Sequence, residues 1–375
     1  MTNNKSYYIN INTGECHKDF FDFLNSTDLK YINPENFEYN NLIGVLKRCE
    51  AKPIIGDFIP IHKGMIWDNL EKKVLDPMYI PNVFFSNIEV FLNAAASFFE
   101  EFKGKKIGVQ LSGGLDSSII IGLLKYFQIP FYLVGMITDR YEFRTERYIQ
   151  EILSKCAVES ALIDYENHLP LSNLDEVPKH QYPNMLVNNY SSNNAMALEC
   201  KRLGVKVLLT GKGGDNVFAE EIPLKPEKCT WIPQSFGDNW LSEMIYEPCG
   251  IELISFYENT GILDSIYNLR KGQKEDNSKI WARKYFKDFI PQELVDYSYC
   301  ADFWGIYISG LLKAVPQIKQ LCKKAFDLTG NNYFSDNAIE ALLNQNLLNV
   351  KKEMYQKIEA RIALAVYLNS INKQS

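Results

Sequence analysis

Apolar residues recur at helical and then at strand spacing through the middle of the chain. Over 86–104 they repeat every three or four positions, between a serine suited to cap a helix and a glycine suited to end it. Residues 106–111, KIGVQL, have the apolar character of a buried strand, and 118–127 that of a buried helix. The pattern therefore predicts a helix, a strand and a second helix in that order.

The same alternation continues further along the chain. Strands are predicted over 131–136, 160–164 and 205–210, with helices over 145–156 and 191–203. Strands that alternate with helices form a parallel sheet covered by helices on both faces. The predicted fold class is therefore α/β, with ligands bound at the carboxyl ends of the strands.

The two ends of the chain have different patterns. Residues 1–83 hold short strand-like pieces without a catalytic pattern, and we expect them to form a small N-terminal region. Residues 220–375 have a largely helical pattern, and the last helix is expected over about 351–371. The predicted boundary separates 1–83 from a main domain over 84–375.

Composition narrows the classes of protein that fit this chain. Of 375 residues, 46% are apolar and 23% charged, as in ordinary soluble globular proteins. The formal net charge of −6 argues against nucleic-acid binding through bulk electrostatics. The apolar stretch 118–137 is interrupted by Lys125, Gln128 and Pro130, so we expect no membrane span. Eight scattered cysteines and an N-terminus without a signal peptide predict reduced thiols in the cytoplasm.

The first segment that carries chemistry is SGGLDSS, residues 112–118, between a predicted strand and a predicted helix. Its glycines let the backbone approach an anion, and the helix N-terminus offers free N–H groups. Serine hydroxyls add donors, so the loop predicts a phosphate pocket. Asp116 would repel phosphate unless it holds Mg²⁺ that the phosphates also bind. The alternative is a plain strand-to-helix turn.

The second segment is TGKGGDNVF, residues 210–218, which follows the strand predicted over 205–210. Its glycines would also admit a nucleotide, and Asp215 would give Mg²⁺ a second carboxylate. Taken alone, Gly-Gly-Asp-Asn is also good turn chemistry. The presence of the first loop favours the functional interpretation.

Together the two segments resemble the nucleotide-binding loops of the asparagine synthetase family. SGGLDSS is similar to the pyrophosphate-binding loop of the N-type ATP pyrophosphatases, and the second loop of the family usually reads Ser-Gly-Glu-Gly-x-Asp-Glu-x-Phe. Val134-Gly135 resembles a pair that touches adenine, and Thr145 begins a similar helix. A weaker likeness covers 279–303, where KIWARKYFKDFIPQEL resembles a helix ending in Leu-Pro-x-Glu. Relatives include β-lactam synthetase and lasso-peptide cyclases.

The resemblance implies a fold, a reaction and a set of binding residues. The fold would be that of the adenine nucleotide α-hydrolases, with 84–375 as the ATP-binding synthetase domain. A carboxylate attacks the α-phosphate of ATP, pyrophosphate leaves, and an amine converts the acyl-adenylate into an amide and AMP. Asp116 and Asp215 would bind Mg²⁺. The implied ATP-binding residues are Leu111, Ser112, Gly113, Gly114, Asp116, Ser117, Ser118, Val134, Gly135, Thr210 and Gly211.

The start of the chain departs from the family. Asparagine synthetases begin with a cysteine nucleophile that heads a glutaminase domain, whereas residue 2 here is Thr2. Residues 1–83 stand where that domain would be, and a reduced remnant of it is one interpretation of them. We therefore expect no glutamine hydrolysis. The amine would be ammonia, a small amine, or an amine within the substrate.

The cations of the site also depart from the family. Lys212 replaces the usual glutamate of the second loop, and no lysine stands in register after Pro291, where the stretch includes Tyr299. The family usually has Arg-x-Lys there, and its lysine stabilises pyrophosphate. We expect Lys212 to restore that charge and to be catalytic with Asp116 and Asp215. The alternative is lost or altered catalysis. Other candidate cations are Arg283, Lys284, Lys271 and Lys274.

The leading interpretation is a Mg²⁺- and ATP-dependent amide ligase that forms AMP and acts in specialised peptide or small-molecule maturation. Its partners would be ATP and a carboxylate-bearing small molecule or peptide, with a homodimer or a partner protein left open. One alternative is a non-catalytic nucleotide-binding or regulatory subunit derived from this family. Another is nucleobase or tRNA modification. Residues 181–194 are either the rim of the substrate pocket or a simple polar loop.

Overall fold

The computed structural model describes most of the chain. The described residues are 7–17, 28–37, 52–61, 66–68, 70, 73–75, 79–138, 145–156, 158–228, 240–296, 304–335, 340 and 352–372.

Five parallel strands form the central sheet. They are β6 (Ile107–Leu111), β7 (Phe131–Ile137), β8 (Ser160–Asp164), β9 (Val207–Thr210) and β10 (Glu252–Ser255). Their order is β10-β9-β6-β7-β8. The first four confirm the sequence prediction. The fifth lies in a region that the pattern had indicated to be helical, which corrects that interpretation.

In the described part of the chain, five further strands of two to four residues precede the central sheet. β1 (Tyr7–Asn10) lies between β2 (Cys16–His17) and β3 (Phe58–Ile61), antiparallel to both. β4 (Ile66–Asp68) pairs with β5 (Lys73–Leu75) in a separate antiparallel ribbon. The N-terminal part of the chain is therefore built from small antiparallel pieces, unlike the parallel sheet that follows.

The described α-helices surround the central sheet. They are α1 (Ile88–Glu100), α2 (Leu115–Tyr126), α3 (Thr145–Lys155), α4 (Tyr190–Leu203), α5 (Gly214–Phe218), α6 (Thr260–Arg270), α7 (Ile280–Tyr285), α8 (Gln292–Asp296), α9 (Trp304–Thr329) and α10 (Lys352–Ile371). Asn87, not the predicted serine before it, caps α1, because its side chain accepts the N–H of Val90. None of the helices in the described ranges has the length and apolarity to cross a membrane.

Side chains of the central strands point alternately to the two faces of the sheet. On β7, Phe131 and Leu133 pack in a core with α1, α2 and α6, whereas Val134 and Met136 pack in a second core with α4, α9 and α10. Both faces are thus covered by helices. This arrangement confirms the predicted α/β class with a helical C-terminal region.

The N-terminal strands are packed against the second of these cores. Tyr8, Leu29 and Ile32 are buried in the same cluster as Leu364 and Tyr367 of α10. The early part of the chain therefore shares a core with its last helix. The domain boundary predicted between residues 83 and 84 stays a prediction.

Residues 79–84 connect the N-terminal strands to α1 along the surface of α6. Asn82 donates from its backbone N–H and its side-chain amide to the Asp264 carboxylate, at 2.7 and 2.8 Å. Asn268 donates to the carbonyl oxygen of Asn82 and accepts the N–H of Phe84. This fixed connection places the start of α1 beside α6.

Candidate functional site

The first glycine-rich loop joins β6 to α2 at the carboxyl edge of the sheet. Helix α2 begins at Leu115, earlier than the sequence predicts, so Asp116, Ser117 and Ser118 all lie in its first turn. The hydroxyls of Ser117 and Ser118 are buried and donate to the carbonyl oxygen of Gly114, at 3.2 and 2.7 Å. These two hydroxyls shape the turn. Ser112, by contrast, is exposed beside it.

The second loop lies directly beside the first, because β9 and β6 are neighbours in the sheet. Gly211 and Gly214 make the close contacts. A Cβ at Gly211 would lie 2.9 Å from the backbone nitrogen of Ser117, and one at Gly214 would lie 2.3 Å from Asp116 Cγ. A side chain at either position would push the loops apart. Glycine is required here because the two backbones approach so closely.

The two predicted metal ligands meet at one ammonium group. Lys279 Nζ lies 2.9 Å from Asp116 Oδ1, 2.7 Å from Asp116 Oδ2 and 2.7 Å from Asp215 Oδ1. Lys279 is buried, whereas the Asp215 side chain is 83% exposed. Because the Asp116 and Asp215 carboxylates both contact the Lys279 ammonium, the two carboxylates lie close to each other.

Burial and charge oppose each other at this cluster. Burial raises the pKa of the Asp116 carboxyl above its usual value, and the Lys279 ammonium only partly offsets that effect. Burial by itself would lower the pKa of Lys279. The carboxylates of Asp116 and Asp215 have the larger, opposite effect, so the pKa of Lys279 is raised above its usual value. Lys279 is therefore charged at neutral pH.

The backbone around Lys279 is held in an unusual conformation. Lys279 has φ 53°, in the left-handed region, immediately before α7. The Asp276 carboxylate accepts the N–H of Ile280 at 2.7 Å, and the Asp276 N–H donates to Ala219 at 2.7 Å. Ile222 exchanges backbone hydrogen bonds with the same loop. The loop that ends at Lys279 is thus hydrogen-bonded to residues 219–222, which follow the second glycine-rich loop.

Two buried arginines support this arrangement. Arg270 donates to the carbonyl oxygen of Val217 at the end of α5, and its guanidinium lies 5.7 Å from the centre of the Trp281 ring on α7. Arg283 donates through Nε to the Ser278 carbonyl oxygen at 2.9 Å. Arg283, a candidate cation in the sequence, therefore bonds backbone carbonyls. The other candidates, Lys271, Lys274 and Lys284, are exposed.

The unpredicted strand β10 and the short turn that follows it each add one residue to the site. The Tyr257 hydroxyl donates to the backbone carbonyl of Asp116 at 2.9 Å, and burial raises the pKa of Tyr257 well above its usual value. Ser255 Oγ is 3.4 Å from Thr210 Oγ1 at the end of β9. Sequence reasoning missed both, although the apolar run in GIELISF was a signal for a short buried strand.

The remaining predicted residues occupy the adjoining strand ends. Gly135 pairs with Leu111 across β7 and β6, and a Cβ on Gly135 would lie 2.6 Å from the Leu111 carbonyl oxygen. The Val134 side chain is fully buried, and its contact with adenine stays a prediction. Lys212 is partly exposed in the turn after β9, and its catalytic role stays a prediction. Tyr299 lies outside the described residues.

Six of the fourteen residues in the segment 181–194 are buried. Tyr182, Val187 and Asn188 are buried, and the Tyr367 hydroxyl of α10 donates to the Gln181 carbonyl oxygen at 3.3 Å. Part of this segment therefore packs against α10, and its role at a substrate rim stays a prediction.

The donor set at Asp116 and Asp215 fits Mg²⁺. Two carboxylates already converge on one cationic group, and Mg²⁺ is usually bound by one or two carboxylates together with phosphate oxygens and water. Over the ranges that the structure describes, no three His, Cys, Asp or Glu side chains form a larger metal cluster. The pair is thus suited to a metal that arrives with phosphate.

Part of the chain matches a known protein family. Residues 102–244 match the family described as asparagine synthase. No curated protein matches the chain. Lys279, β10 and Tyr257 all lie beyond the matched residues.

Two solved structures are similar to this chain only distantly. The NH3-dependent NAD synthetase from Campylobacter jejuni, in complex with nitrate, is 11% identical with a TM-score of 0.33, over 70% of this chain and 93% of that one. The NMN synthetase from Francisella tularensis is 11% identical with a TM-score of 0.27, over 62% of this chain and 95% of that one.

Proposed function

We propose, from the match of residues 102–244 to the asparagine synthase family, that the protein is an ATP-dependent ligase that makes an amide and releases AMP and pyrophosphate. A substrate carboxylate attacks the α-phosphate of ATP, and an amine then attacks the acyl-adenylate. The substrate is a small molecule or peptide, and the reaction belongs to specialised maturation.

One observation carries this proposal. Two glycine-rich loops at the carboxyl edge of a parallel sheet bring Asp116 and Asp215 onto one cation position, beside the free N–H groups at the start of the twelve-residue helix α2. Such a site suits a group whose negative charge grows during the reaction, as that of a leaving pyrophosphate does. It needs no protein nucleophile.

The chain's own residues have separable roles in this mechanism. The backbone of 112–115 and the α2 N-terminus bind phosphate, Asp116 and Asp215 hold Mg²⁺, and Lys279 is a cation of the site. Mg²⁺ bound there supplies charge neutralisation for the departing pyrophosphate. Lys212 is partly exposed in the second loop, and we propose that it is a second cation for the substrate.

The source of the amine is the second part of the proposal. Residues 7–10 and 58–61 pair in a small antiparallel sheet that shares a core with α10. We propose that this part of the chain has no glutaminase activity, and that the amine is ammonia, a small amine or a group on the substrate.

Product analysis tests the ligase directly. The protein is incubated with Mg-ATP and fractions of a small-molecule and peptide extract from its host, and AMP and pyrophosphate are quantified. Aspartate with ammonia and aspartate with glutamine serve as defined substrates. Asp116→Asn is expected to lower AMP formation at least about 100-fold, because it weakens the metal site. The exposed Asp57→Asn is the matched control and is expected to retain activity.

Two results would decide against the ligase. If ATP binds but no fraction stimulates AMP formation, the protein is a nucleotide-binding partner or regulatory subunit. If Asp116→Asn forms AMP at the wild-type rate, the first loop is not the reaction site. Formation of ADP in place of AMP would also contradict the proposed attack on the α-phosphate.

A further inference from the structure

A buried ammonium group lies at the position that suits a metal ion. Lys279 Nζ is 2.7 Å from both Asp116 Oδ2 and Asp215 Oδ1, so the two carboxylates point at the same place. Mg²⁺ would bind such oxygens at about 2.0–2.1 Å. The ammonium and the metal cannot occupy that place together.

We propose that Lys279 is a tethered cation that fills the metal position until Mg²⁺ and nucleotide bind together. On their arrival the ammonium leaves the carboxylates and contacts the phosphates. Because it takes Mg-ATP as the ligand, this role of Lys279 rests on the proposed function, but it concerns binding and not turnover.

Charge explains why the exchange needs both ligands. Asp116 and Asp215 carry two negative charges, of which Lys279 neutralises one. Mg²⁺ alone would neutralise both and would leave a buried ammonium next to a dication, without a partner. Nucleotide phosphates supply that missing partner. Metal and nucleotide are therefore expected to bind far better together than separately.

The two carboxylates are reached from opposite sides, by the lysine from the protein interior and by an incoming metal from solvent. The Lys279 side chain is 10% exposed and approaches from the protein interior, whereas the Asp215 side chain is 83% exposed. An incoming metal therefore reaches the carboxylates from the solvent side. The retreating ammonium stays tethered beside the loop that is proposed to bind phosphate.

The backbone at Lys279 supports a functional role for its side chain. A left-handed φ of 53° is unfavourable for lysine and readily adopted by glycine. The Asp276 carboxylate holds the turn by accepting the N–H groups of Ser278 and Ile280. Strain of this kind persists where the surrounding structure imposes it, and is found at functional sites. Here it directs the ammonium onto the two carboxylates.

Binding of Mn²⁺ in place of Mg²⁺ tests the exchange. Free Mn²⁺ is measured by electron paramagnetic resonance, with and without α,β-methylene-ATP, which cannot release pyrophosphate. Without nucleotide, Lys279→Met is expected to bind Mn²⁺ at least about tenfold more tightly than the wild type. The nucleotide is expected to raise Mn²⁺ affinity much more in the wild type than in Lys279→Met. Lys284→Met, an exposed lysine on α7, is the matched control and should behave as the wild type.

A second variant separates the role of the side chain from folding. Lys279→Gly removes the ammonium and fits the left-handed turn, so it is expected to fold at least as well as the wild type and to bind Mn²⁺ as Lys279→Met does.

Three results would overturn the exchange. In the first, both Lys279 variants bind Mn²⁺ no more tightly than the wild type. In the second, the nucleotide raises Mn²⁺ affinity equally in the wild type and the variants. In the third, none of the proteins binds Mn²⁺. A protein that shows the expected binding but forms no AMP would retain the exchange and lose the ligase function.

Discussion

Asp116 is the residue at which the two loops approach each other most closely. Its carboxylate contacts Lys279, its backbone carbonyl accepts the Tyr257 hydroxyl, and its Cγ lies 2.3 Å from where a Cβ on Gly214 would be. Each neighbour comes from a different segment of the chain. The position of this one carboxylate therefore depends on the packing of all of them.

Replacing Gly214 by alanine tests this packing. The new Cβ would lie 2.3 Å from Asp116 Cγ, so the second loop or the Asp116 carboxylate must move. We expect Gly214→Ala to lower the free energy of unfolding by about 2 kcal/mol and to weaken ATP binding at least tenfold. Urea unfolding and calorimetric ATP titration measure the two effects.

Gly261→Ala is the control for this substitution. Gly261 lies in the first turn of α6, where the nearest atom to an added Cβ is 3.3 Å away. ATP binding by Gly261→Ala should match that of the wild type. Wild-type ATP affinity in Gly214→Ala would show that the loops are not closely packed in solution.

Cys200 shows how burial controls the chemistry of a thiol. Cys200 on α4 is fully buried, and burial raises its pKa to about 12. Only the thiolate reacts with alkylating reagents. The folded protein therefore keeps this thiol protonated up to a pH near 12. An unfolded chain loses the same proton at about pH 8.5, so the free energy of unfolding falls as the pH rises from about 8.5 toward 12.

Alkylation of the native protein at pH 8 measures this protection. Iodoacetamide is expected to modify the exposed Cys16 at least about 100-fold faster than Cys200, as followed by peptide mass mapping. Urea should remove the difference. Comparable labelling of both residues without urea would mean that α4 opens readily.

At the scale of elements, Arg270 joins the helix that carries Asp215 to the helix that follows Lys279. It extends from α6, donates to Val217 at the end of α5, and lies over the ring of Trp281 on α7. The side chain is completely buried. Because one guanidinium contacts both helices, it fixes the distance between the carboxylate on α5 and the lysine that precedes α7.

Loss of this guanidinium is expected to affect both stability and the site. Arg270→Met leaves the Val217 carbonyl oxygen without its side-chain donor and should lower the free energy of unfolding by about 2 kcal/mol. Lys271→Met, at the exposed neighbouring residue, is the control and should change the free energy of unfolding by less than about 0.5 kcal/mol. Urea unfolding compares the two. If both substitutions change the free energy of unfolding equally, the hydrogen bond from Arg270 to Val217 does not stabilise the fold.

At the scale of the whole molecule, the first and last parts of the chain share one core. Ile32 is 5% exposed and forms a β-bridge with Ile55, and both belong to the cluster that contains Leu364 and Tyr367 of α10. A core that joins distant parts of a chain favours cooperative unfolding. We therefore expect the N-terminal region and the main domain to unfold together.

Two adjacent residues test this coupling. Ile32→Ala removes buried methyl groups and should lower the free energy of unfolding by about 2–4 kcal/mol. Tyr31, which is 65% exposed, is the matched control, and Tyr31→Ala should cost less than about 0.5 kcal/mol. Both variants are followed by urea unfolding with far-UV circular dichroism. A separate early transition in Ile32→Ala would instead indicate an independent N-terminal domain.

Local sequence pattern determined the α/β class and the two loops. Helix and strand spacing are properties of short windows, and a glycine-rich loop after a strand must lie at the carboxyl end of that strand. Predicted elements such as 106–111 and 160–164 therefore match β6 and β8 closely. SGGLDSS and TGKGGDNVF were recognisable because each carries its chemistry within nine residues or fewer.

Only the tertiary structure decided which cation faces the carboxylates. Lys279 is 163 residues from Asp116, and Tyr257 is 141 residues away. The order of strands in the sheet and the turn before α7 bring them together, and neither follows from the spacing of residues along the chain. Sequence reasoning therefore did not find Lys279, whose ammonium the fold places on both carboxylates. The charge assigned to Lys212 in the second loop stays a prediction.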